Sequence, residues 1–195
     1  PISIDTSKAR VAEVALDCGA SIINDVSALR QDPAMASVIV RFDAAVVLMH
    51  MQGTPQTMQQ SPQYSDVVGE VVRFLEGRVQ MALRAGIAGT NILLDPGFGF
   101  GKLVNHNLDL LDGLSAIAAL NRPVLVGLSR KAFIGNVVER SVEHREWGTA
   151  AAVALAVDRG AHILRVHDVA MMIDVVKMAA AVNPRWSSCR EEHDA

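Results

Sequence analysis

The feature that most constrains the fold is an alternation, repeated six times, of short apolar runs with longer segments of helical periodicity. The short runs have the composition of strands buried on both faces, and they are 2–5, 21–24, 45–49, 92–95, 124–126 and 162–166. Helices are predicted at 8–17, 33–41, 65–85, 107–120, 144–159 and 169–181. Gly19, Gly86 and Gly160 are placed as C-terminal caps. The pattern indicates repeated βα units around a parallel sheet, so the fold class is α/β.

Six βα units suit either an open doubly wound sheet or most of a (β/α)8 barrel. A complete barrel needs about 250 residues, whereas this chain has 195 and begins with Pro1 inside an apolar run. The barrel is favoured, represented by about six units, with the first two expected before Pro1. Residues 1–182 would form the barrel domain and 183–195 a polar C-terminal tail.

Composition argues against several kinds of partner. The chain is 50% hydrophobic and 20% charged, which suits a globular domain. Its 18 basic and 21 acidic residues give a net charge of −3 without a basic stripe, so nucleic acid is not an expected partner. No apolar run reaches the roughly 20 residues of a membrane span. The two cysteines, Cys18 and Cys189, form no framework or metal motif, which fits a cytoplasmic location.

Polar side chains follow the apolar strands, at the edge where ligands bind in both α/β architectures. They are Asp5, Asn24, Asp25, His50, Asp95, Ser129, Arg130, Lys131, Arg165 and His167. Acceptors beside cations suit a ligand with ring N–H donors at one end and anionic oxygens at the other, such as a phosphorylated heterocycle. Asp5, Asn24 and Asp95 are predicted to bind it. Asp25 is interpreted as a helix cap and Arg130 as a structural ion-pair former.

The segment 94–102 carries three glycines and a lysine after a strand-end aspartate. It is not a P-loop, because only three residues separate Gly97 from Gly101 and leucine follows Lys102. The segment is predicted to form a flexible turn that lays Phe98 or Phe100 beside a flat ring, with the other phenylalanine available for the core.

Two histidines receive different interpretations. Arg165 and His167 alternate with apolar residues and therefore share one side of a strand, which favours anion binding. His50 is interpreted as structural, with Met49 or Met51 lining the ligand ring. The sequence contains no convincing metal-binding spacing.

Six motifs together resemble the dihydropteroate synthase family. They are Asp5-Thr6-Ser7-Lys8, Ile22-Ile23-Asn24-Asp25, residues 48–53, residues 95–102, residues 127–131 and Arg165-Val166-His167-Asp168. The resemblance runs from Pro1 to about Ala181, and residues 95–102 are its most specific part. It implies a TIM barrel, usually homodimeric.

The resemblance also implies a reaction, in which 6-hydroxymethyl-7,8-dihydropterin diphosphate and p-aminobenzoate give 7,8-dihydropteroate and pyrophosphate. Implied pterin-binding residues are Asp5, Asn24, Val26, Met49, Asp95, Gly127 and Lys131. The p-aminobenzoate residues are Phe100, Ser129 and Lys131, and the diphosphate residues are Arg165, Val166 and His167. Implied catalytic residues are Asp5, Asp95 and Lys131. Mg²⁺ is implied as cofactor, with no metal ligand in this chain, because the family's metal-contacting asparagine belongs to the first two units.

Three alternatives remain open. One is a catalytically incompetent pterin-binding fragment or paralogue. Another is a methyltransferase of the methyltetrahydrofolate type, against which the anion-binding motifs at residues 129–131 and 165–167 argue. The third is an open sheet that binds a different phosphorylated metabolite.

Overall fold

In the computed structural model, which describes residues 1–183, parallel strands alternate with helices along the chain. The strands are β1 (Ser3–Asp5), β2 (Ile22–Asp25), β3 (Ala45–Met49), β4 (Ile92–Asp95), β5 (Leu125–Val126) and β6 (Ile163–Leu164). The helices are α1 (Ala9–Asp17), α2 (Met35–Phe42), α3 (Val67–Arg84), α4 (Val104–Asp112), α5 (Leu114–Ala118), α6 (Ala132–Val138), α7 (Glu146–Asp158) and α8 (Val169–Val182). All six predicted strands are present. Most of the predicted tail, residues 184–195, lies outside the described residues.

The order of the strands distinguishes a barrel from a doubly wound sheet. Strands β1 to β4 pair in sequence order, and all of these pairings are parallel. A bridge between Leu94 and Val124 continues this order towards β5, which pairs in parallel with β6. A doubly wound sheet reverses its strand order at a switch point. The strands of residues 1–183 show no such reversal.

The sheet is also strongly curved. Six strands spaced about 4.8 Å apart would separate β1 from β6 by roughly 24 Å if the sheet were flat. Instead, the Arg165 guanidinium just after β6 lies 2.7 Å from the Asp5 carboxylate at the end of β1. The strands therefore curl around a common interior, as in a (β/α)8 barrel. This confirms the predicted fold class.

The helices pack on the outside of the curved sheet through apolar stripes. In α3, Val71, Leu75 and Ala82 recur at helical spacing and are fully buried. The buried faces of the strands and helices join in one main core. This core fixes the positions of the strand ends, where the predicted site residues lie.

Two details of the helices differ from the prediction. The segment 107–120 is not one helix, since α4 and α5 meet at Gly113, where a Cβ atom would lie 2.7 Å from Val68 of α3. Close packing therefore requires glycine at this break. Helix α6 was not predicted, because it has only seven residues, too few to show a helical period.

The helix ends agree better with expectation. Gly19, Gly86 and Gly160 have positive φ angles of 96°, 93° and 100°, which confirms them as C-terminal caps. Asn183, placed at the start of the tail, is buried and donates to the Asp158 carbonyl oxygen at 2.7 Å. This residue therefore packs on the end of α7.

Candidate active site

One cavity of about 450 Å³ opens at the carboxyl ends of the strands. All twelve site residues named from the sequence line it, together with Gly97 and Phe98: Asp5, Asn24, Val26, Met49, Asp95, Phe100, Gly127, Ser129, Lys131, Arg165, Val166 and His167. They come together because parallel strands bring their ends to one edge. The binding roles of the individual residues stay predictions.

Asp5 and Asn24 form one wall of the cavity. Their strands pair in a register that sets Asp5 directly beside Asn24, and the Asn24 amide donates to Asp5 Oδ1 at 3.0 Å. Asn24 Oδ1 is buried and has no hydrogen-bond partner within residues 1–183. Because buried polar atoms are nearly always paired, this oxygen fits an N–H donor of a bound ligand.

Asp95 lies at the end of β4 and is 7% exposed. Its Oδ1 accepts from the Gly97 amide at 2.7 Å. Burial raises the pKa of Asp95 to about 6, against the lowering effects of the Gly97 N–H and of the charges on Lys102, Lys131 and Arg165. At neutral pH the group is therefore an ionised but poorly hydrated carboxylate, suited to stabilise positive charge on a ligand.

The turn after β4, residues 96–101, is here named the glycine loop. Its two phenylalanines have different environments: Phe98 is 1% exposed and stacks against Phe133 at a centroid distance of 6.2 Å. Phe100 is only half-buried; like Phe98 it borders the cavity, but Lys131 Nζ lies 4.5 Å from its ring centroid. Burial lowers the pKa of Lys131. Phe98 is thus the core residue, and Phe100 with Lys131 forms a cation–aromatic pair facing the cavity.

Arg165 and His167 form the cationic end of the cavity, with Val166 between them. Arg165 pairs with Asp5, while His167 Nδ1 lies 2.8 Å from the Ser129 hydroxyl. The His167 amide also donates to this hydroxyl at 3.3 Å. The segment just after β6 is thereby linked to the end of β1 and to the segment after β5.

Three residues interpreted as structural have the expected kind of contact. Arg130 pairs with Asp168 at 3.0 Å, which confirms its interpretation. Asp25 is fully buried and accepts from the amides of Ser27 and Leu29, but it caps a turn, because no helix follows β2 directly. His50 packs edge-on against an aromatic ring of α3.

His50 is neutral, as expected for a buried structural histidine. Desolvation, followed by the charges of Lys102 and Arg30, lowers its pKa to about 3. Of its neighbouring methionines, Met49 lines the cavity, whereas Met51 is buried and does not.

Two side chains that hold the glycine loop, Lys102 and Tyr64, were not predicted as functional residues. Lys102 Nζ contacts the carbonyl oxygens of Gly97 and Phe100, and the Tyr64 hydroxyl donates to the Gly101 carbonyl at 2.7 Å. The partners of Lys102 lie five and two residues earlier in the chain, and the partner of Tyr64 lies 37 residues later, but all three are backbone carbonyls, which no residue pattern identifies. A lysine directly after three alternating glycines was the available signal.

Neither a metal cluster nor a membrane span is found in the described chain. Residues 1–183 contain no group of three or more His, Cys, Asp or Glu side chains arranged to hold a metal ion. Within the same residues, no helix is long and apolar enough to cross a membrane.

Comparison with known proteins gives the family. Residues 1–167 match the family model of the pterin binding enzymes. Dihydropteroate synthase of Haemophilus influenzae is 47% identical over 177 residues, which cover 91% of this chain and 64% of that protein. The chain thus spans just under two thirds of that relative's length.

Solved structures agree in fold. Dihydropteroate synthase of Yersinia pestis, in a sulfonamide drug complex, has a TM-score of 0.89 and 39% identity, covering 92% of this chain and 65% of that one. The enzyme of Xanthomonas albilineans in complex with 7,8-dihydropteroate has a TM-score of 0.86 and 46% identity, covering 93% and 66%. The chain, with its strand-end acids, amide and cations in one cavity, belongs to the pterin-binding enzyme family.

Proposed function

We propose that the protein containing this chain is a dihydropteroate synthase, a transferase of folate biosynthesis. The observation that carries the proposal is one cavity holding ring-binding acceptors, a cation–aromatic pair and a cationic end. The similar enzyme from Xanthomonas albilineans was solved with 7,8-dihydropteroate bound. The substrates would be the pterin diphosphate and p-aminobenzoate.

The pterin ring would lie against Asp5, Asn24 and Asp95. The unpaired Asn24 Oδ1 and the Asp95 carboxylate would accept hydrogen bonds from ring N–H groups. Val26, Met49 and Gly127 line the same cavity and would contact the ring faces. Negative charge at Asp5 and Asp95 would stabilise the cation that develops on the pterin as the methylene C–O bond breaks.

The arylamine would bind near Phe100, Ser129 and Lys131. Its nitrogen lone pair attacks the pterin methylene carbon, forming the C–N bond, and the nitrogen then loses a proton. The electron pair of the broken C–O bond leaves with pyrophosphate. An amine is already nucleophilic, so the protein's part is to orient the two substrates and stabilise charge.

The pyrophosphate would leave from the cationic end. Arg165 and His167 lie two positions apart on one segment, separated by Val166, and both offer N–H donors to the cavity. Guanidinium groups bind phosphate oxygens through paired hydrogen bonds, so Arg165 would hold the departing charge.

Magnesium would enter with the diphosphate. The residues at 1–183 do not themselves form a metal site, and Mg²⁺ commonly binds through substrate phosphate oxygens. Chelation is expected to abolish pyrophosphate release while leaving the affinity for a pterin without phosphate unchanged.

The test is a coupled assay of pyrophosphate release with both substrates, run on the natural full-length protein. We expect turnover that requires p-aminobenzoate and falls at least about 100-fold in Asp95→Ala, the order seen when a charge-stabilising group is removed. Pterin binding without turnover would instead indicate an incompetent paralogue. The methyltransferase alternative is not favoured, since the relatives matched are dihydropteroate synthases.

We propose a homodimer formed through α7 and α8. Leu155, Met178 and Val182 on these helices are 44%, 67% and 66% exposed and border one shallow apolar groove. A second copy would cover them. Sedimentation should give a dimer for the wild-type protein and a monomer for Met178→Glu.

We also propose a cytoplasmic location, where folate-pathway substrates would be met. The exposed free thiol of Cys18 is compatible with a reducing compartment. Fractionation of cells expressing the natural protein would test it.

A further inference from the structure

Lys102 is a buried lysine that makes no ion pair with any carboxylate of residues 1–183. It is 4% exposed, and its Nζ lies 2.9 Å from the Gly97 carbonyl oxygen, 3.1 Å from that of Phe100 and 3.0 Å from His50 Nδ1. Burying an amine is costly unless its hydrogen-bonding capacity is satisfied. Here all three contacts are to fixed atoms, and two are backbone oxygens of the glycine loop.

The hydrogen-bonding groups of Lys102 find partners whether its amine is protonated or neutral. Burial lowers the pKa of Lys102 to about 7. As an ammonium it donates to all three partners, whereas as a neutral amine it donates to the two carbonyls and accepts from an Nδ1–H tautomer of His50. His50 itself stays uncharged because burial and its cationic neighbours lower its pKa to about 3. The contacts to the loop therefore persist through the neutral pH range.

The glycine loop depends on such contacts because its own backbone is unusual. Gly97 and Gly101 have φ angles of +70° and +61°, and the loop lies directly on the segment after β3. A Cβ atom on Gly97 would collide with the His50 carbonyl oxygen, and one on Gly101 would lie 2.8 Å from that of Gln52. The loop is thus held between His50–Gln52 on one side and the Lys102 amine on the other.

The position of this loop determines the position of Phe100. Lys102 fixes the Phe100 carbonyl itself, and Lys131 crosses the loop at Gly99, where a Cβ atom would lie 3.2 Å from Lys131 Cδ. A displacement of the loop would therefore move both members of the Phe100–Lys131 pair. Of the three proposed ring acceptors, Asp5 and Asn24 are positioned by β1 and β2 and by their own hydrogen bond, whereas Asp95, at the end of β4, accepts from the Gly97 amide of the loop.

We propose that Lys102 is a positioning residue, which sets the arylamine end of the cavity by fixing the carbonyls of Gly97 and Phe100. The proposal rests on the proposed function, since it is the Phe100–Lys131 pair that would receive p-aminobenzoate. Lys102 itself does not line the cavity and is not a catalytic residue.

The test compares the affinities of the natural protein for two ligands, 6-carboxypterin and pteroic acid, which share the pterin but differ in the arylamine part. At pH 8, above the pKa of about 7 for Lys102 and of about 6 for Asp95, the lysine is mostly a neutral amine and Asp95 is ionised, so replacing Lys102 leaves the charge of Asp95 unchanged. Lys102→Met should weaken pteroic acid binding by about tenfold or more, and 6-carboxypterin binding by less than about threefold.

Three further variants complete the design. Lys102→Gln keeps two N–H donors and should recover part of the pteroic acid affinity. Tyr64→Phe removes only the hydrogen bond to the Gly101 carbonyl of the same loop, so it should show the same selective loss at smaller size even where Lys102→Met fails to fold. Arg84→Met, on the exposed surface of the last turn of α3 and outside both the cavity lining and the proposed dimer helices, is the matched control and should bind both ligands as the wild type does.

Equal losses for the two ligands, or unchanged pteroic acid binding by both Lys102→Met and Tyr64→Phe, would overturn the proposal. A wild-type protein that binds both ligands but releases no pyrophosphate would contradict the proposed function alone. The comparison of affinities would still decide the role of Lys102.

Discussion

Asp95 is a single residue whose proposed binding role has a cost in stability, because its carboxylate is buried. Its pKa is about 6 in the folded protein against an ordinary value of 3.8, because burial disfavours the charged form. The folded state therefore binds more protons than the unfolded state between about pH 4 and 6. It follows that the contribution of this group to the free energy of unfolding decreases as the pH rises through that window.

Asp95→Asn should remove this pH dependence. Asparagine keeps an oxygen for the Gly97 amide but carries no charge. At pH 7.5 we expect the variant to be more stable than the wild type by about 1–3 kcal/mol, whereas near pH 4 the two should be similar. Urea denaturation at both pH values measures this. Greater stability of the wild type at pH 7.5 would contradict the assigned cost of burying the carboxylate.

The two phenylalanines of the glycine loop offer a matched pair of substitutions. Phe98→Ala leaves a cavity in the core and should lower the free energy of unfolding by about 3–5 kcal/mol. Phe100→Ala should cost far less stability but weaken pteroic acid binding, since its ring faces the cavity below Lys131. Thermal denaturation measures the stability of each variant, and titration with pteroic acid measures its affinity for the ligand. Similar losses of stability would show that Phe100 is also a core residue.

At the scale of elements, strands were more predictable from sequence than the short helices and loop contacts. The strands lie in short apolar runs that end in polar residues, and this pattern recurs six times because parallel strands buried on both faces bring their ends to one edge. Helix α6 was not predicted because its seven residues make only about two helical turns, too few to establish a periodicity. The contacts of Lys102 and Tyr64 with the glycine loop were not predicted because they are made to backbone carbonyls, which every residue carries.

Glycine substitutions test which loop conformations are required. Gly97→Ala should disrupt the loop and lower both stability and pteroic acid affinity, because its φ of +70° and the nearby His50 carbonyl exclude a side chain. Gly77→Ala is the control, lying exposed within α3 with no atom near its added Cβ. That variant should gain about 0.5–1 kcal/mol. A loss of stability in Gly77→Ala would contradict the conclusion that an added Cβ atom at this position meets no neighbouring atom.

At the scale of the whole molecule, the Asp5–Arg165 pair joins the first and last described strands. Both side chains are substantially exposed, 48% and 64%, so the pair adds little to stability. Arg165→Met should therefore change the free energy of unfolding by less than about 1 kcal/mol. The same substitution should nevertheless strongly weaken the inhibition of turnover by added pyrophosphate, because Arg165 is the proposed ligand of that anion. A large loss of stability would mean that the pair holds the curved sheet together.

The same pair makes the two ends of the cavity thermodynamically coupled. Asp5 belongs to the proposed ring site and Arg165 to the proposed anion site, yet the two side chains form an ion pair with each other. An anion that recruits Arg165 frees Asp5 for the ring, so either ligand should raise the affinity for the other. Re-formation of the pair on loss of pyrophosphate would lower the affinity of the ring site for the product, so loss of the leaving group would favour product dissociation.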